Sequence, residues 1–346
     1  MPTSHSDEQP NALPTLDDVA RLAGVSTATV SRCLNAPKLV SEATRERVLA
    51  VVNELGYAPN FSAQALAAKR TNTIGAIIPT MENSIFARGL QAFQEELANH
   101  GLTLLVASSA YQRDLEFEQV KTLLARGADA LLLIGFDRPE ETMAFIRKRQ
   151  VPAIISWAYR AESEVSSVGF DSREAIKPLA AEVLRLGHRK IAIIAAPQAE
   201  NDRSRDRVGG VFDTHIEAGL STDHIRVVET PYSVANGREA ALKLLQGDTP
   251  PTVIMCGNDV LAVGVVQAAQ ALGLCIPEDV SVTGFDDIEI AEIVEPKLTT
   301  VHVPHRQMGA QSARQIAAVL KDMAPPQNIK LETEVVMRGS LGRPKS

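Results

Sequence analysis

From Thr73 onward the chain alternates between apolar runs of strand length and amphipathic runs of helix length. Such alternation is typical of α/β folds with mostly parallel sheets. It shows no closed eightfold repeat and divides near Val168–Ser172, so two doubly wound lobes fit it better than one barrel. Strands are predicted at Ile74–Ile78, Thr103–Ala107, Ala130–Ile134, Ala153–Trp157, Ile191–Ala195, Val227–Thr230, Val253–Cys256 and Val280–Phe285. Helices are predicted at Phe86–His100, Leu115–Arg126, Glu140–Gln150, Glu174–Leu186, Ala235–Leu245 and Val260–Leu272.

Ahead of this pattern lie three shorter helical segments. Residues 1–14 are polar and contain prolines, so they are predicted to form a disordered arm. Each predicted helix follows a Thr or Ser that can cap it, and Gly24 or Gly56 ends the first and the third. Ala20 and Gly24 are small at the point where the first two helices would cross, which is a helix-turn-helix pattern. The three helices are predicted at Leu16–Ala23, Thr27–Asn35 and Glu42–Leu55.

Charge is divided unevenly between these regions. The 346 residues carry a formal net charge of −7, and all of it falls after residue 70. Residues 15–70 are mildly basic, with a surplus of two positive charges. A small basic module joined to an acidic body is compatible with nucleic-acid binding, although charge alone does not establish it.

Several classes of protein are excluded by missing patterns. The three cysteines lie far apart without a C-x-x-C pair, and the seven histidines show no metal-ligand spacing, so neither a metal nor a cofactor is predicted. No G-x-S-x-G, P-loop, G-x-G-x-x-G after a strand, or H-E-x-x-H is present, so the chain is not predicted to be an enzyme. The polar N-terminus lacks the apolar run of a signal peptide, and no apolar run could span a bilayer. We therefore expect a soluble cytosolic protein without a membrane partner.

Longer motifs are more specific than these spacings. They read TLDDVARLAGVSTATVSRCLN, VSEATRERVLAVVNELGYAPN, SAQALA, IGAIIP, LRLGHRKIAIIA, RDRVGGVF, NDVLAVGVVQAAQALGLCIPEDVSVTGFDD and PKLTTVHVP. In this order they strongly resemble the LacI/GalR family of bacterial transcription regulators, over essentially the whole chain. The resemblance implies a sequence-specific DNA-binding regulator, expected to repress carbohydrate or sugar-acid catabolism genes. It also implies a homodimer on a palindromic operator in double-stranded DNA, controlled by a small-molecule effector.

The resemblance also implies a domain plan. A helix-turn-helix DNA-binding domain would occupy residues 15–59, and a hinge helix with a linker residues 60–72. A two-lobed, periplasmic-binding-protein-like domain would follow at 73–346 and would bind the effector and form the dimer. Its N-lobe would comprise about 73–171 and 303–332, and its C-lobe about 172–302 and 333–346.

Candidate DNA-binding residues follow from the resemblance, position by position. Thr27 and Ala28 match the first readers on the family's recognition helix, and Arg32 matches the later one. An arginine can donate twice to a guanine edge, which specifies sequence, or contact a phosphate, which only positions the protein. Asn35 would bind a phosphate or cap its own helix.

Four further candidates lie in the hinge. Asn60, Ala63, Gln64 and Leu66 match positions of the family's minor-groove helix. Leu66 matches the leucine that wedges into a base step and kinks the duplex, although packing against the partner hinge is an alternative. Gln64 and Ala65 stand where many members have Arg and Ser, so this hinge carries fewer cationic contacts.

The effector candidates match positions in the cleft between the lobes. Asn258 and Asp286 follow apolar strands, and the carboxyl ends of parallel strands are where open α/β sheets bind ligands. Three alternatives stay open: Asp286 caps a helix before Ile288, Arg207 is paired within the polar run Asn201–Arg207, and Trp157 is plain core. The six candidates are Phe86, Trp157, Arg207, Tyr232, Asn258 and Asp286.

Four further motifs bear on the identity of the effector. IPTMENSIFA, VGFDSREA, PYSVANG and PKLTTVHVPHRQMG are similar to the gluconate-repressor branch of the family. That similarity suggests a sugar or a sugar acid such as gluconate, with Arg207 as the cation. A solute-binding protein without a DNA role, and an activator or co-repressor-dependent regulator, are the alternative functions.

Overall fold

The computed structural model describes residues 13–58, 70–82, 84–321, 325 and 327–345. The chain divides into two compact units after Thr71. The predicted arm up to residue 12 lies outside the described residues. So do the hinge candidates Asn60, Ala63, Gln64 and Leu66.

In the described part of the smaller unit, three helices lie at the predicted bounds. They are α1 (Leu16–Ala23), α2 (Thr27–Asn35) and α3 (Glu42–Leu55). A short 3₁₀ turn, Pro37–Leu39, follows α2. One apolar face of each helix contributes to a small buried core formed by Val19, Ala20, Ala23, Val30, Cys33 and Val48.

Local capping explains most of these helix bounds, although Ser41 makes no side-chain capping hydrogen bond at the start of α3. Thr15 and Asp18 form a capping box, in which the backbone N–H of Asp18 donates to Thr15 Oγ1 (3.3 Å) and that of Thr15 donates to Asp18 Oδ2 (3.0 Å). Gly24 ends α1 with φ of 62°, and no atom lies within 4 Å of where its Cβ would be. The prediction that Gly24 is small because helices cross there is therefore wrong. The position requires a left-handed backbone, which glycine adopts without strain.

The larger unit has two lobes, and the first is built on a six-stranded parallel sheet. Its strands are β1 (Thr73–Ile78), β2 (Thr103–Ser108), β3 (Ala130–Ile134), β4 (Ala153–Ser156), β5 (Ser167–Gly169) and β11 (Ile329–Lys330). They are ordered β11-β5-β4-β3-β1-β2. The helices of this lobe are α4 (Ser84–Asn99), α5 (Arg113–Ala125), α6 (Glu140–Lys148) and α12 (His305–Leu320).

The second lobe is built on a four-stranded parallel sheet ordered β7-β6-β8-β9. The strands are β6 (Ile191–Ala195), β7 (Ile225–Glu229), β8 (Val253–Cys256) and β9 (Ser281–Thr283). An antiparallel pair, β10 (Thr300–His302) and β12 (Glu334–Val336), lies beside it. The helices are α7 (Ser172–Arg185), α8 (Asp202–Glu217), α9 (Val234–Leu245), α10 (Asp259–Ala271) and α11 (Ile290–Ile293).

The chain passes between the two lobes three times, after β5, after β10 and after β11. The second passage brings α12 back onto the first lobe, where it packs closely against α4. A Cβ on Gly309 of α12 would lie 2.0 Å from the backbone oxygen of Gly89, so only glycine permits this approach. The predicted architecture of two lobes with parallel sheets is confirmed. No described helix is long and apolar enough to cross a membrane.

Candidate functional site

The outer face of α2 presents polar side chains that are separate from the core. Val30 and Cys33 anchor the inner face of the helix and are 0% and 3% exposed. Arg32 is exposed, and its guanidinium group makes neither a hydrogen bond nor an ion pair with any described residue. Asn35 is exposed too, and its side-chain amide donates to Ser31 Oγ (3.3 Å).

Thr27 and Ala28 lie at the start of the same helix. Thr27 is half-buried and Ala28 is exposed. Ser26 caps the helix by accepting a hydrogen bond from the backbone N–H of Thr29 (3.2 Å). This cap fixes the first turn, so Thr27 and Ala28 keep a defined direction relative to Arg32.

In the larger unit, Arg207 is carried by α8, a helix absent from the sequence prediction. Asn201 caps α8 by accepting from the backbone N–H of Ser204 (3.2 Å). Arg207 Nη2 donates to the hydroxyl of Tyr232 (2.8 Å). Its guanidinium carbon lies 4.7 Å from the centre of the Phe285 ring, which is within cation–π range.

The pairing of Arg207 within the run Asn201–Arg207 is therefore wrong. The ion pairs of that run are made by its neighbours. Arg203 Nη1 contacts Asp202 Oδ1 at 2.8 Å, and Arg205 Nη2 contacts Asp137 Oδ1 at 2.9 Å. Arg207 is left to face Tyr232 and Phe285.

Asp286 follows β9 in an unusual backbone conformation. Its φ is 102° and that of Asp287 is 55°, both in the left-handed region that side chains rarely adopt. Burial raises the pKa of Asp286, while the positive charges of Arg207 and Arg203 act in the opposite direction. The site therefore holds an arginine close enough to a buried carboxyl group to influence its ionisation.

The helix-capping alternative for Asp286 is wrong as well. The backbone N–H of Ile288 donates to Asp259 Oδ2 (2.9 Å), and α11 begins later, at Ile290. Asp259 also accepts from Thr300 Oγ1 (2.6 Å), and its backbone N–H donates to the carbonyl of Phe285 (2.9 Å). Asp259 thus holds the chain on both sides of Asp286.

Phe86 and Trp157 form an aromatic wall in the first lobe. Their ring centroids are 5.5 Å apart, and the Trp157 ring is stacked on His305 at 6.5 Å with an interplanar angle of 27°. Phe86 and Trp157 are each 2% exposed and belong to the main apolar core, as the plain-core alternative for Trp157 states. The wall nevertheless reaches Asp286, because His305 Nε2 lies 3.9 Å from Asp286 Oδ1.

Tyr232 meets a second tyrosine that the sequence analysis missed. The ring of Tyr111, which follows β2 in the first lobe, lies 6.4 Å from the ring of Tyr232 in the second. Burial raises the pKa of Tyr111, and Arg203, Arg207 and Asp286 are all near enough to contribute. Tyr111 follows a parallel strand at its carboxyl end, so the rule that selected Asn258 and Asp286 would also have found it.

Asn258 has a structural role in addition to its predicted one. Its Oδ1 accepts from the backbone N–H of Leu261 (2.9 Å) and so caps α10. Among the described residues, no hydrogen bond, ion pair or ring contact joins it to the other five effector candidates. Its Nδ2 is buried without a hydrogen-bonding partner.

Unpaired buried polar atoms are a shared property of these residues. Buried polar groups are nearly always hydrogen-bonded in folded proteins, and leaving one unpaired costs about 1–3 kcal/mol. Others occur elsewhere among the described residues. In the residues discussed above, the unpaired atoms are Trp157 Nε1, Arg207 Nε, Asn258 Nδ2, and both ring nitrogens of His305.

The two lobes also touch directly beside these residues. Asp137, after β3, pairs with Arg205 of α8 through two contacts of 2.9 Å. The backbone N–H of Phe136 donates to Asp202 Oδ2 (2.5 Å), and Arg113 donates to the carbonyl of Ala199 (3.2 Å). These contacts join the lobes through the start of α8, the helix that carries Arg207.

Comparisons with known proteins agree with both parts of this description. The model of bacterial regulatory proteins of the lacI family matches residues 15–60, and that of a periplasmic binding protein-like domain matches 180–341. Catabolite control protein A of Priestia megaterium is 32% identical over 300 residues, which cover 87% of this chain and 90% of that protein. The transcriptional repressor PurR of Vibrio vulnificus is 30% identical over 329 residues, covering 94% and 98%.

Solved structures show the same arrangement. A LacI-family transcriptional regulator from Silicibacter pomeroyi superposes with a TM-score of 0.86 at 28% identity, covering 95% of this chain and 100% of that one. A lac repressor dimer bound to its operator and the anti-inducer ONPF gives a TM-score of 0.84 at 26% identity, covering 95% and 99%. The chain therefore belongs to the lacI family of bacterial transcriptional regulators, with a helix-turn-helix DNA-binding domain followed by a periplasmic-binding-protein-like effector-binding domain.

Proposed function

We propose that this regulator is a repressor that binds a palindromic operator in double-stranded DNA as a homodimer, and that a sugar or sugar acid in the interlobe cleft controls the binding. Such a regulator acts in the cytoplasm, where its DNA is. The observation that carries the proposal is the cluster of Arg207, Tyr232 and Asp286 between the lobes. An unpaired Arg207 Nε beside that cluster supports a polar ligand.

The chemistry of the cluster favours a polyhydroxylated ligand. A carboxylate such as that of Asp286 accepts hydrogen bonds from hydroxyl groups, and aromatic faces such as those of Phe86 and Trp157 suit the C–H face of a sugar. Arg207 can donate to hydroxyls or bind a carboxylate. A sugar acid such as gluconate fits this set, since it offers hydroxyls to Asp286 and an anion to Arg207.

DNA readout is assigned to the outer face of α2. Arg32 is exposed and unpaired among described residues, so it is available to donate twice to a guanine edge. Thr27 and Ala28 supply a hydroxyl and methyl groups for a thymine methyl or a phosphate. Asn35 supplies an amide for a phosphate.

The hinge completes the proposed operator contact, on the strength of the family resemblance. Leu66 wedges into the central base step, and Asn60, Ala63 and Gln64 lie along the minor groove. Two symmetry-related leucines then kink the operator at its centre.

The test uses the full chain and an operator selected from random-sequence DNA. We expect nuclease footprinting to protect two half-sites related by two-fold symmetry over roughly two helical turns, and sedimentation to show a dimer. D-Gluconate, D-glucose, D-galactose and D-ribose are then added singly while operator affinity is measured.

One of these compounds should change operator affinity, and the sign of the change distinguishes an inducer from a co-repressor. An asymmetric footprint of about one helical turn made by a monomer would contradict the dimer proposal. If none of the four compounds alters operator affinity, the effector assignment is wrong.

A further inference from the structure

We propose that His305 is a specificity-determining residue of the cleft, and that His305 and Asp286 together bind one hydroxyl group of the effector. This inference rests on the effector function proposed above. It adds a residue outside the six effector candidates and specifies which chemical group that residue reads.

The distance between the side chains of His305 and Asp286 suits a bridging oxygen atom. His305 Nε2 lies 3.9 Å from Asp286 Oδ1, which is too far for a direct hydrogen bond. An oxygen atom to one side of the line that joins these two atoms can lie about 2.8 Å from each, the usual hydrogen-bonding distance. The separation of the two atoms therefore allows one hydroxyl to bridge them from the side.

The second argument is that His305 is buried without a partner. It is the first residue of α12 and is 4% exposed. Neither ring nitrogen makes a hydrogen bond of good geometry, although the backbone of Asp286 is close enough to raise the pKa of the ring. A buried histidine with two unpaired nitrogens costs stability, so a purely structural role would be better served by an apolar ring. A polar ligand would supply the missing partner.

The third argument is the protonation state of the ring. Burial lowers the pKa of His305 to about 4, and the nearby backbone of Asp286 offsets this effect only in part. At neutral pH the ring is uncharged, with one nitrogen donating and the other accepting. A hydroxyl can accept from the imidazole N–H while it donates to the carboxylate, so both groups are satisfied by the same oxygen.

The fourth argument is that the pair is held rigidly. Trp157 stacks on the His305 ring, and a Cβ on Gly89 would lie 2.4 Å from the Trp157 ring, so the indole cannot move toward α4. Asp259 fixes the chain on both sides of Asp286. Two groups fixed at a set separation discriminate between epimers, because only one orientation of a hydroxyl reaches both.

The chain carries its own reporter for a test. Trp157 is the only tryptophan in the sequence, so intrinsic fluorescence observes the ring stacked on His305. The full-length protein is titrated with D-gluconate, D-glucose, D-galactose and D-ribose, and with the monodeoxy analogues of whichever compound binds most tightly. His305→Phe is compared with wild type, and Met308→Leu serves as a volume-matched control buried in the same helix.

We expect His305→Phe to bind the preferred compound about 10- to 100-fold more weakly, because a hydrogen bond to a buried group is lost. One monodeoxy analogue should bind wild type and His305→Phe with equal affinity, and that analogue identifies the hydroxyl. The thermal stability of unliganded His305→Phe should equal or exceed that of wild type, and Met308→Leu should bind as wild type does.

Two results would overturn the inference. If His305→Phe binds the preferred compound as wild type does, or loses the same factor for every deoxy analogue, His305 only packs the wall. If none of the four compounds changes the fluorescence of the wild type, the proposed effector class fails, and the inference fails with it. The two failures are distinguished by whether wild type binds.

Discussion

The residues proposed to bind DNA and those proposed to bind the effector are arranged in opposite ways. In the first, the described side chains that would contact DNA lie on one nine-residue helix and are exposed or half-buried. In the second, Phe86, Trp157, Arg207, Asp286 and His305 come from distant segments and are all buried. A surface that binds a large polyanion can use hydrated charges, whereas a site for a small polar molecule must remove water from it.

The two regions differ in the stage at which their polar groups lose hydration, and therefore in when the free-energy cost of desolvation arises. If Arg32 contacts DNA as proposed, it loses its hydration only when DNA is bound. The polar atoms of the cleft lose theirs when the protein folds, and several have no partner to compensate. The cleft should therefore affect the stability of its unit, and the recognition helix should not.

The largest expected effect is a pH dependence that separates the two units. Burial raises the pKa of Asp259 to about 7, from an unfolded value of 3.8. The folded state then holds a proton that the unfolded state releases, so this stabilisation is complete below pH 3.8 and is lost as the pH rises through 7. Measured by chemical denaturation, the stability of wild type relative to Asp259→Asn should fall by about 4 kcal/mol between pH 4 and pH 8.

The pH dependence of stability that comes from Asp18, in the helix-turn-helix unit, has the opposite sign. Hydrogen bonds from Thr15 and Arg21 lower its pKa to about 2, so its stabilisation is present above pH 3.8 and is lost as the pH falls toward 2. Relative to Asp18→Asn, wild type should show no change between pH 5 and pH 8. The same slope for both variants would remove the distinction between the units.

A smaller but decisive effect concerns effector response. Arg207→Ala and Asp286→Ala each leave a polar group of the effector unpaired in a buried site, which should weaken binding by about 100-fold or more. Both variants should bind the selected operator as wild type does when no effector is present, because their positions belong to the other unit. Operator titrations with and without effector measure this, after circular dichroism has shown that both are folded. Response at wild-type concentrations in both variants would contradict the cleft assignment.

Arg32→Ala should weaken binding to the selected operator by about 10- to 100-fold, which is the usual discrimination of an arginine–guanine pair. On random DNA the loss should be only a few-fold, since non-specific binding depends on phosphate charge. Arg45→Ala on α3 removes the same charge and serves as the control, with equal losses on both DNAs. Fluorescence anisotropy at one salt concentration measures the affinities of wild type and both variants for the two DNAs. Equal losses for Arg32→Ala would make Arg32 a phosphate contact.

The smallest expected effect tests the turn itself. Gly24→Ala meets no steric obstacle, but it places an alanine at φ of 62°, which should cost about 1–2 kcal/mol of the free energy of unfolding. Ala20→Gly on the same helix is a useful counterpart, since it tests packing at a position that is 5% exposed. Unchanged stability in Gly24→Ala, measured by denaturant titration, would mean that the turn relaxes to another conformation.

The sequence predictions were most accurate for elements whose signals lie within their own segments. The bounds of α1, α2 and α3 were predicted correctly because most of them are set by local signals: Thr15 and Ser26 cap the starts of α1 and α2, and Gly24 and Gly56 end α1 and α3. The fully buried strands β3, β6 and β8 were also predicted at their observed bounds, since their apolar runs are continuous. These signals lie within the segments they describe, so a single sequence contains them.

The elements that were not predicted depend on contacts outside their own segments. Helix α8 opens with the polar run DRSRDR, and most of that run is buried against the first lobe, so its pattern is not amphipathic. Strands β5, β10, β11 and β12 have only two or three residues and depend on partners far away in the chain.

The sequence analysis named several residues of the proposed cleft and missed one whose position depends on a distant connection. The resemblance brought together Arg207, Tyr232 and Asp286, which the structure places in one cluster. His305 reaches that cluster only because the chain crosses between lobes just before α12, and no local pattern contains this information.

The three passages of the chain between the lobes also determine when each lobe can be completed during translation. The sheet of the first lobe needs β11, and its face needs α12, yet all of the second lobe except β12 and the residues around it is encoded between β5 and these elements. At about 5–20 residues per second, the ribosome makes β11 on the order of ten seconds after β5. The DNA-binding unit can fold early during translation, but the first lobe must wait with an uncovered edge, which is when the nascent chain is most exposed to misassociation.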